Sequence, residues 1–104
     1  MVSRIEYYYK KIELSENESK VFLALDKYKN REIKRWVILN ELGWGSIKAG
    51  LLSKIIKKLV NEGLFKVRFR YNKGVHLEIV PLYDYYKIIS YNGKKVLWLR
   101  FKYE

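Results

Sequence analysis

The sequence predicts a small α+β domain, in which three helices precede a β-hairpin and an additional β-hairpin lies near the C-terminal end. Three observations lead to this fold class. Apolar residues recur at helical spacing in three segments before residue 63, they alternate with polar residues from 65 to 80, and an Asn-Gly pair divides two later apolar runs. A chain of 104 residues, 49% of them apolar, suits one domain over residues 1–104 with a single packed core.

The first two helices are predicted from a cap and from apolar stripes. Ser15 and Glu18 in LSENESKVFLALDKY form a capping-box pattern, which marks the start of the first helix. The segment REIKRWVILNELG predicts a second helix that starts at Arg31 and ends at Gly43. The apolar side chains expected in the core are Val21, Phe22, Leu25, Tyr28, Ile33, Trp36, Val37 and Leu42.

The third helix is predicted over about residues 47–62, and its two sides differ in chemistry. One side is apolar throughout. The other side carries Gly50, Ser53, Lys54, Lys57, Lys58 and Asn61. Lys54 and Lys58 stand four residues apart, where like charges destabilise a helix. Three lysines with no acidic residue on that side therefore favour an anionic partner.

Strands are predicted where apolar and polar residues alternate. Residues 2–10 predict an N-terminal strand with Ile5, Tyr7 and Tyr9 on one face. A hairpin is predicted over residues 65–80, with a turn at 72–74. Its core face is expected to carry Phe65, Val67, Phe69 and Tyr71, and its solvent face Lys66, Arg68 and Arg70.

The C-terminal hairpin, residues 85–103, leaves two interpretations open. Trp98, Arg100 and Lys102 share one face, on which the bases of a single strand would stack. Leu97, Leu99 and Phe101 share the other, which would cover the core or pair with a second copy of the chain. The second interpretation is preferred. A homodimer would use this hairpin or the N-terminal strand, because both present strand edges.

Positive charge is concentrated in one part of the chain. The formal net charge is +11. Residues 43–73 hold eight Lys and Arg against Glu62 alone, a net +7, whereas a surface charged only for solubility would be more even. This distribution predicts a polyanion as partner.

Several classes of protein are disfavoured by what the sequence lacks. There is no cysteine, which excludes disulfides, thiolate nucleophiles and cysteine-based zinc sites. No apolar run approaches the roughly 20 residues of a membrane span, and the N-terminal segment lacks the apolar core of a signal peptide. We therefore expect a cytoplasmic protein, located in the host cytoplasm if its source is a virus.

Enzymatic chemistry is not expected. His76 is the only histidine and lies on the solvent-facing parity of a strand, so a catalytic or metal-ligating role is disfavoured. The segment GWGSIKAG superficially suggests a phosphate loop, but it lies between two predicted helices and its glycines fit no phosphate-binding spacing. The prediction is a non-enzyme without metal or cofactor.

The arrangement of three helices followed by a hairpin resembles the winged helix-turn-helix proteins. LSENESKVFLAL is similar to the opening helix of the archaeal TrmB-like and MarR-like regulators. LSKIIKKLVNEGLFKV resembles their recognition helix, which runs through a Gly-Leu corner into the wing. The resemblance covers residues 14–82, taken as the core of the domain. The N-terminal strand and the C-terminal hairpin do not match the helical dimerisation arms usual in these regulators.

This resemblance implies a transcriptional regulator that binds double-stranded DNA in a sequence-specific way. The third helix, about residues 47–62, would lie in the major groove, and the wing, residues 65–80, on the adjacent backbone or minor groove. The residues predicted to contact DNA are Ser46, Lys48, Gly50, Ser53, Lys54, Lys57, Lys58, Arg68, Arg70 and Lys73.

Two alternatives stay open. One is an architectural or replication-associated nucleic-acid binder with little sequence preference, and the other is a winged-helix adaptor whose lysines bind an acidic protein.

The composition of the chain also indicates what kind of organism it comes from. The chain has no Gln or Thr and is rich in Lys and Glu, which is typical of hyperthermophiles, although AT-rich coding gives a similar bias. Small basic winged helices are also common in archaeal viruses and plasmids, so a cellular, plasmid or viral source stays open.

Overall fold

The computed structural model describes residues 5–103, and residues 1–4 and 104 lie outside this range. Strand β1, helix α1, strand β2 and helix α2 come first, followed by a 3₁₀ turn, helix α3 and four further strands. The elements are β1 (Glu6–Leu14), α1 (Glu16–Lys27), β2 (Glu32–Lys34), α2 (Arg35–Glu41), the 3₁₀ turn (Ser46–Lys48), α3 (Ala49–Asn61), β3 (Phe65–Tyr71), β4 (Val75–Pro81), β5 (Tyr85–Tyr91) and β6 (Lys94–Tyr103).

The strands form two three-stranded antiparallel sheets. We call the sheet of order β1-β6-β5 the terminal sheet and the sheet of order β2-β4-β3 the hairpin sheet. The long central strand β6 pairs with β1 over the register Glu6↔Tyr103 to Leu14↔Lys95 and with β5 on its other side.

The prediction of a winged helix-turn-helix domain with an additional C-terminal hairpin is wrong. The described residues contain six strands in two sheets, and more of these residues lie in strands than in helices. The C-terminal hairpin at 85–103 is present, but it is not an addition: β6 joins it to the N-terminal strand in one sheet. The resemblance concerned residues 14–82 and left these flanking segments without a place in the fold.

Helix α1 begins where its cap predicts. The Ser15 hydroxyl accepts from the Glu18 backbone N–H at 3.2 Å, and the Glu18 carboxylate accepts from the Ser15 N–H at 2.9 Å. These reciprocal bonds satisfy donors that a helix start would otherwise leave unpaired. Val21, Phe22 and Leu25 are buried as expected.

The second helix starts later than predicted. Asn30 adopts a left-handed φ of 61°, and its N–H donates to the Ile79 carbonyl at 2.6 Å. This turn aligns Glu32–Lys34 with β4 as the third strand of the hairpin sheet, so α2 begins only at Arg35. As a result Trp36, expected in the core, is 62% exposed, and Ile38 and Leu39 are buried instead.

The core lies between the helices and one face of each sheet. The terminal sheet contributes Ile12 and Leu14 from β1 and Leu97, Leu99 and Phe101 from β6, all buried. The interpretation of Leu97, Leu99 and Phe101 as side chains that cover the core is therefore confirmed. The N-terminal strand is also present, although it runs to Leu14, and residues 2–4 of its predicted range lie outside the described residues.

An aromatic and polar cluster joins α1 to both sheets. The Phe22 ring lies 5.5 Å from Phe65 of β3 and 4.9 Å from Tyr86 of β5, between ring centroids. The Tyr83 and Tyr86 hydroxyls both donate to the Asp26 carboxylate of α1. Burial, followed by the hydrogen bond to Asp26, raises the pKa of the Tyr83 hydroxyl, which therefore stays protonated as a donor.

Shortening Leu99 will show whether the C-terminal hairpin belongs to the core. Leu99 is buried at the centre of β6, so Leu99→Ala leaves a cavity and should lower the free energy of unfolding by about 2–5 kcal/mol. Chemical denaturation measures this difference. Ile89→Ala, in the same sheet but partly exposed, serves as control and should cost clearly less. A Leu99→Ala cost below about 1 kcal/mol would contradict the assignment.

Candidate nucleic-acid interface

One side of α3 lies in the core and the other faces outward. Leu52, Ile55, Ile56 and Leu59 are buried. The opposite side forms an exposed arc, which we call the lysine arc and define as Gly50, Lys54, Lys57 and Asn61. Within residues 5–103, neither Lys54 nor Lys57 has an ion-pair partner, so both ammonium groups are available to an anion.

The segment before α3 differs from the prediction. The helix begins at Ala49 rather than near residue 47, so Ser46 and Lys48 lie in the 3₁₀ turn ahead of it. The buried Trp44 anchors this turn. Its backbone N–H donates to the Leu39 carbonyl at 2.8 Å, and the Lys48 ammonium lies 5.4 Å from the centre of its ring. Ile47 is 93% exposed at the tip of the turn.

Lys58 lies at the edge of the polar side, where it is already engaged. Its ammonium is 2.7 Å from the Glu18 carboxylate of α1. Burial alone would raise the pKa of Glu18, but the hydrogen bonds from Lys58 and Ser15 outweigh it and the pKa is lowered. The sequence predicts no acidic residue on this side of α3, and the acidic partner of Lys58 comes instead from α1. Glu18 and Lys58 are 40 positions apart in the sequence. Because the capping box already accounted for Glu18, no feature of the sequence predicted this ion pair.

A shallow groove separates α3 from the hairpin sheet. It has a volume of about 360 Å³ and is lined by Ser53, Ile56, Lys57, Val60, Val67, Phe69 and Tyr71. Ser53 is half-buried on its wall, and the Tyr71 ring is 79% exposed at its end. The apolar face of β3 thus borders the lysine arc. The alternation of apolar and polar residues in β3 predicted this apolar face, but all of its side chains were expected to lie in the core.

The predicted arginine contacts lie on the other face of the hairpin sheet. Because neighbouring residues of a strand point to opposite faces, Arg68 and Arg70 point away from the groove. Arg70 lies 3.4 Å from the Glu78 carboxylate, and Arg68 is directly opposite Glu78 in the register. The structure does not bring these two arginines to the lysine arc.

Lys73 lies in the turn that follows Tyr71. It adopts a left-handed φ of 52°, and Gly74 after it has φ 119°. The His76 ring Nε2 lies 3.0 Å from the Asn72 carbonyl, which braces the turn from β4. Lys73 is exposed and has no ion-pair partner among the described residues. It is thus an exposed cation two residues beyond Tyr71, which lines the groove.

Residues 5–103 offer neither a cluster of metal-ligating side chains nor a membrane-spanning helix. These residues include no group of three or more His, Asp or Glu side chains that could hold a metal ion. His76 contacts the Asn72 carbonyl and lies 3.7 Å from the Glu32 carboxylate. No helix in this range has the length and apolar character needed to cross a bilayer.

The Glu18–Lys58 pair should make stability depend on acid pH. Because the folded pKa of Glu18 is lowered, its contribution is present above the ordinary value near 4.5 and is lost as pH falls through the folded value. Glu18→Gln keeps a capping amide but removes the charge, and should cost about 1 kcal/mol at pH 7. Denaturation at pH 7 and at pH 3 should show this difference shrinking in acid.

The matched control for this prediction is Glu16→Gln, which removes an exposed charge from the same helix turn. Equal costs for the two variants at both pH values would contradict a specific role for the pair.

Comparison of the sequence with protein-family models and with curated proteins, and of the chain with solved structures, finds no match. The resemblance to the archaeal regulators therefore stays a prediction from the quoted residues.

Proposed function

We propose that the chain binds double-stranded DNA through the lysine arc and acts as a transcriptional regulator. The observation that carries this proposal is the position of Lys54 and Lys57, exposed and unpaired on a helix whose opposite side is buried. An α-helix with its side chains is about 10–12 Å across, which matches the width of the B-DNA major groove. The molecule thus presents a convex cationic helix to a concave anionic partner.

Different residues of this surface suit different parts of the duplex. Gly50 has no side chain and nothing lies within 4 Å of its missing Cβ, so the backbone there can come close to DNA. Lys54, near the middle of the arc, suits guanine O6 and N7. The exposed side chain of Ile47 offers apolar contact to a thymine methyl group. Ser53 is set back on the groove wall, which favours Lys54 as the main base-reading residue.

Phosphate contacts would come from both ends of the interface. Lys48 lies before α3, Lys57 borders the groove, and Lys73 extends from the turn of the hairpin. Such contacts release counterions and supply affinity without sequence information. Lys58, Arg68 and Arg70 are engaged with carboxylates or point away, so their part is reduced to long-range attraction. This function implies a location inside the cell, where DNA is present.

The proposal is tested by fluorescence anisotropy of the full chain with labelled duplexes over a salt series. One duplex is random and others come from the region upstream of the gene. Steep salt dependence with a preference of at least about 10³-fold for one upstream duplex supports a sequence-specific regulator. Steep dependence without preference supports the architectural alternative. No duplex binding near physiological salt overturns the proposal and favours an acidic protein partner.

Lys54→Ala should weaken duplex binding and relax discrimination at one base position. If Lys54 contacts a guanine edge, the preference at that position should fall by about 1–3 kcal/mol. Competition with duplexes that differ by one base pair at a time measures this loss of preference. Lys20→Ala removes an exposed lysine from α1, away from the arc, and should change neither value. Equal weakening for every duplex would make Lys54 a phosphate contact.

Lys73→Ala should reduce the salt dependence without changing sequence preference. A lysine bound to one phosphate releases about one counterion, so the slope of log affinity against log salt should fall by about one. The slope is taken from the same anisotropy series. An unchanged slope would remove the hairpin turn from the interface.

A further inference from the structure

The outer face of the terminal sheet carries a second concentration of aromatic and basic side chains. This face points away from the core, because the inner side chains of the same strands are buried in it. Tyr9 is 64% exposed and Tyr85 53% exposed, on either side of Arg100 in the register. The next row of the sheet is Lys11, Trp98 and Lys87, with Trp98 on the central strand.

The cations on this face are held against the rings. The Lys11 ammonium lies 4.5 Å from the centre of the Trp98 ring, and the Lys87 ammonium 5.4 Å from it. The Arg100 guanidinium lies 4.5 Å from the Tyr7 ring and is fixed by two hydrogen bonds to Asp84, at 2.9 and 3.2 Å. It also lies 5.4 Å from the centre of the Tyr85 ring, so Arg100 is a fixed cation among the rings of this face.

These side chains also form a concavity. A depression of about 250 Å³ lies at the centre of the face and is lined by Tyr9, Tyr85, Lys87, Trp98, Leu99 and Arg100. Aromatic rings therefore flank an opening whose rim is positively charged. Its floor is the central strand β6, which the core holds in place.

We propose that this face binds single-stranded nucleic acid. Bases would stack on Trp98 and on the tyrosines beside it, and the phosphates would attract Lys11, Lys87 and Lys102. Lys11 and Lys87 have no carboxylate partner among residues 5–103, and Lys102 acts on the Asp84 carboxylate only through its charge, without an ion-pair contact. Lys11 and Lys87 converge on one ring despite their like charge, and phosphates that draw them outward relieve this repulsion and uncover Trp98.

The chemistry of the face favours this occupant over two others. A second copy stacked face to face would bring unpaired lysines against unpaired lysines, because Asp84 and Glu13 are already paired with Arg100 and Lys94, and this is costly at an interface. A duplex keeps its bases stacked inside the helix and cannot offer their faces to Trp98. The site is also separate from the lysine arc, since the core lies between the terminal sheet and α3.

The test measures anisotropy of the full chain with labelled oligo(dT) and oligo(U) of about 12 nucleotides, an abasic strand of equal length, and a duplex. Trp98→Leu should weaken single-strand binding about tenfold and leave duplex binding within about twofold. Trp98→Phe retains an aromatic ring and should keep most of the single-strand affinity that Trp98→Leu loses. Trp36→Leu, an exposed tryptophan on α2, should change neither affinity. Comparison of oligo(dT) with oligo(U) distinguishes DNA from RNA as the strand bound.

Three results would overturn the proposal. One is an abasic strand that binds as tightly as oligo(dT), because stacking would then contribute nothing. Another is equal weakening of single-strand and duplex binding by Trp98→Leu. The third is a sedimentation-detected dimer that Trp98→Leu abolishes, with no single-strand binding by the wild type. Lys11→Ala with Lys87→Ala provides a second variant, which should weaken single-strand binding without removing the ring.

Discussion

The pairing of β1 with β6 is the constraint on which the rest of the molecule depends. It joins the first and last strands of residues 5–103 over nine residue pairs and places β6 between β1 and β5. Without it, β6 would keep only β5 as a neighbour, and the buried Ile12 and Leu14 of β1 would lose the strand that holds them in the core. The same pairing turns the alternate side chains of β1 and β6 outward, so both the core and the aromatic face of the terminal sheet come from one register.

Helix α3 meets a different demand, because it serves the core and the surface at once. Its buried side is continuous along the helix, which fixes its rotation and so determines which residues are exposed. Glu18 then divides the exposed lysines into two kinds. Lys58 is neutralised by α1, while Lys54 and Lys57 keep their charge available, so the distinction between a structural and a free lysine comes from a residue outside the helix.

Local signals in the sequence predicted local structure well. The Ser15–Glu18 cap, the turn at Lys73-Gly74 and the Asn92-Gly93 pair each determine a feature within a few residues, and each lies where expected. The lysines of α3 were also assigned correctly to its exposed side, since helical periodicity is enough to show it. The alternation in β3 predicted that Phe69 and Arg70 lie on opposite faces of the sheet. Which of these faces borders α3 could not be predicted, because it depends on how the sheet packs in three dimensions.

What could not be predicted depends on contacts between distant segments. The three residues of β2 are too few to show a period, and β4, more than 40 positions later, decides that they form a strand. The pairing of β1 with β6 and the ion pair of Glu18 with Lys58 have no local signal for the same reason. The winged-helix prediction failed at this point, because a pattern over residues 14–82 contains no information about what the two ends do together.

The central position of β6 also has a consequence for how the protein acquires its structure. β1 and β5 do not pair with each other, and each forms its sheet pairing only with β6, which is synthesised after both. Contacts between such distant segments form slowly, because a long loop must close before they stabilise anything. Until β6 arrives, Ile12 and Leu14 have no inner neighbour on their sheet and the edge of β1 is open. The nascent chain therefore passes through a stage in which β1 presents an unpaired strand edge, a condition that favours aggregation.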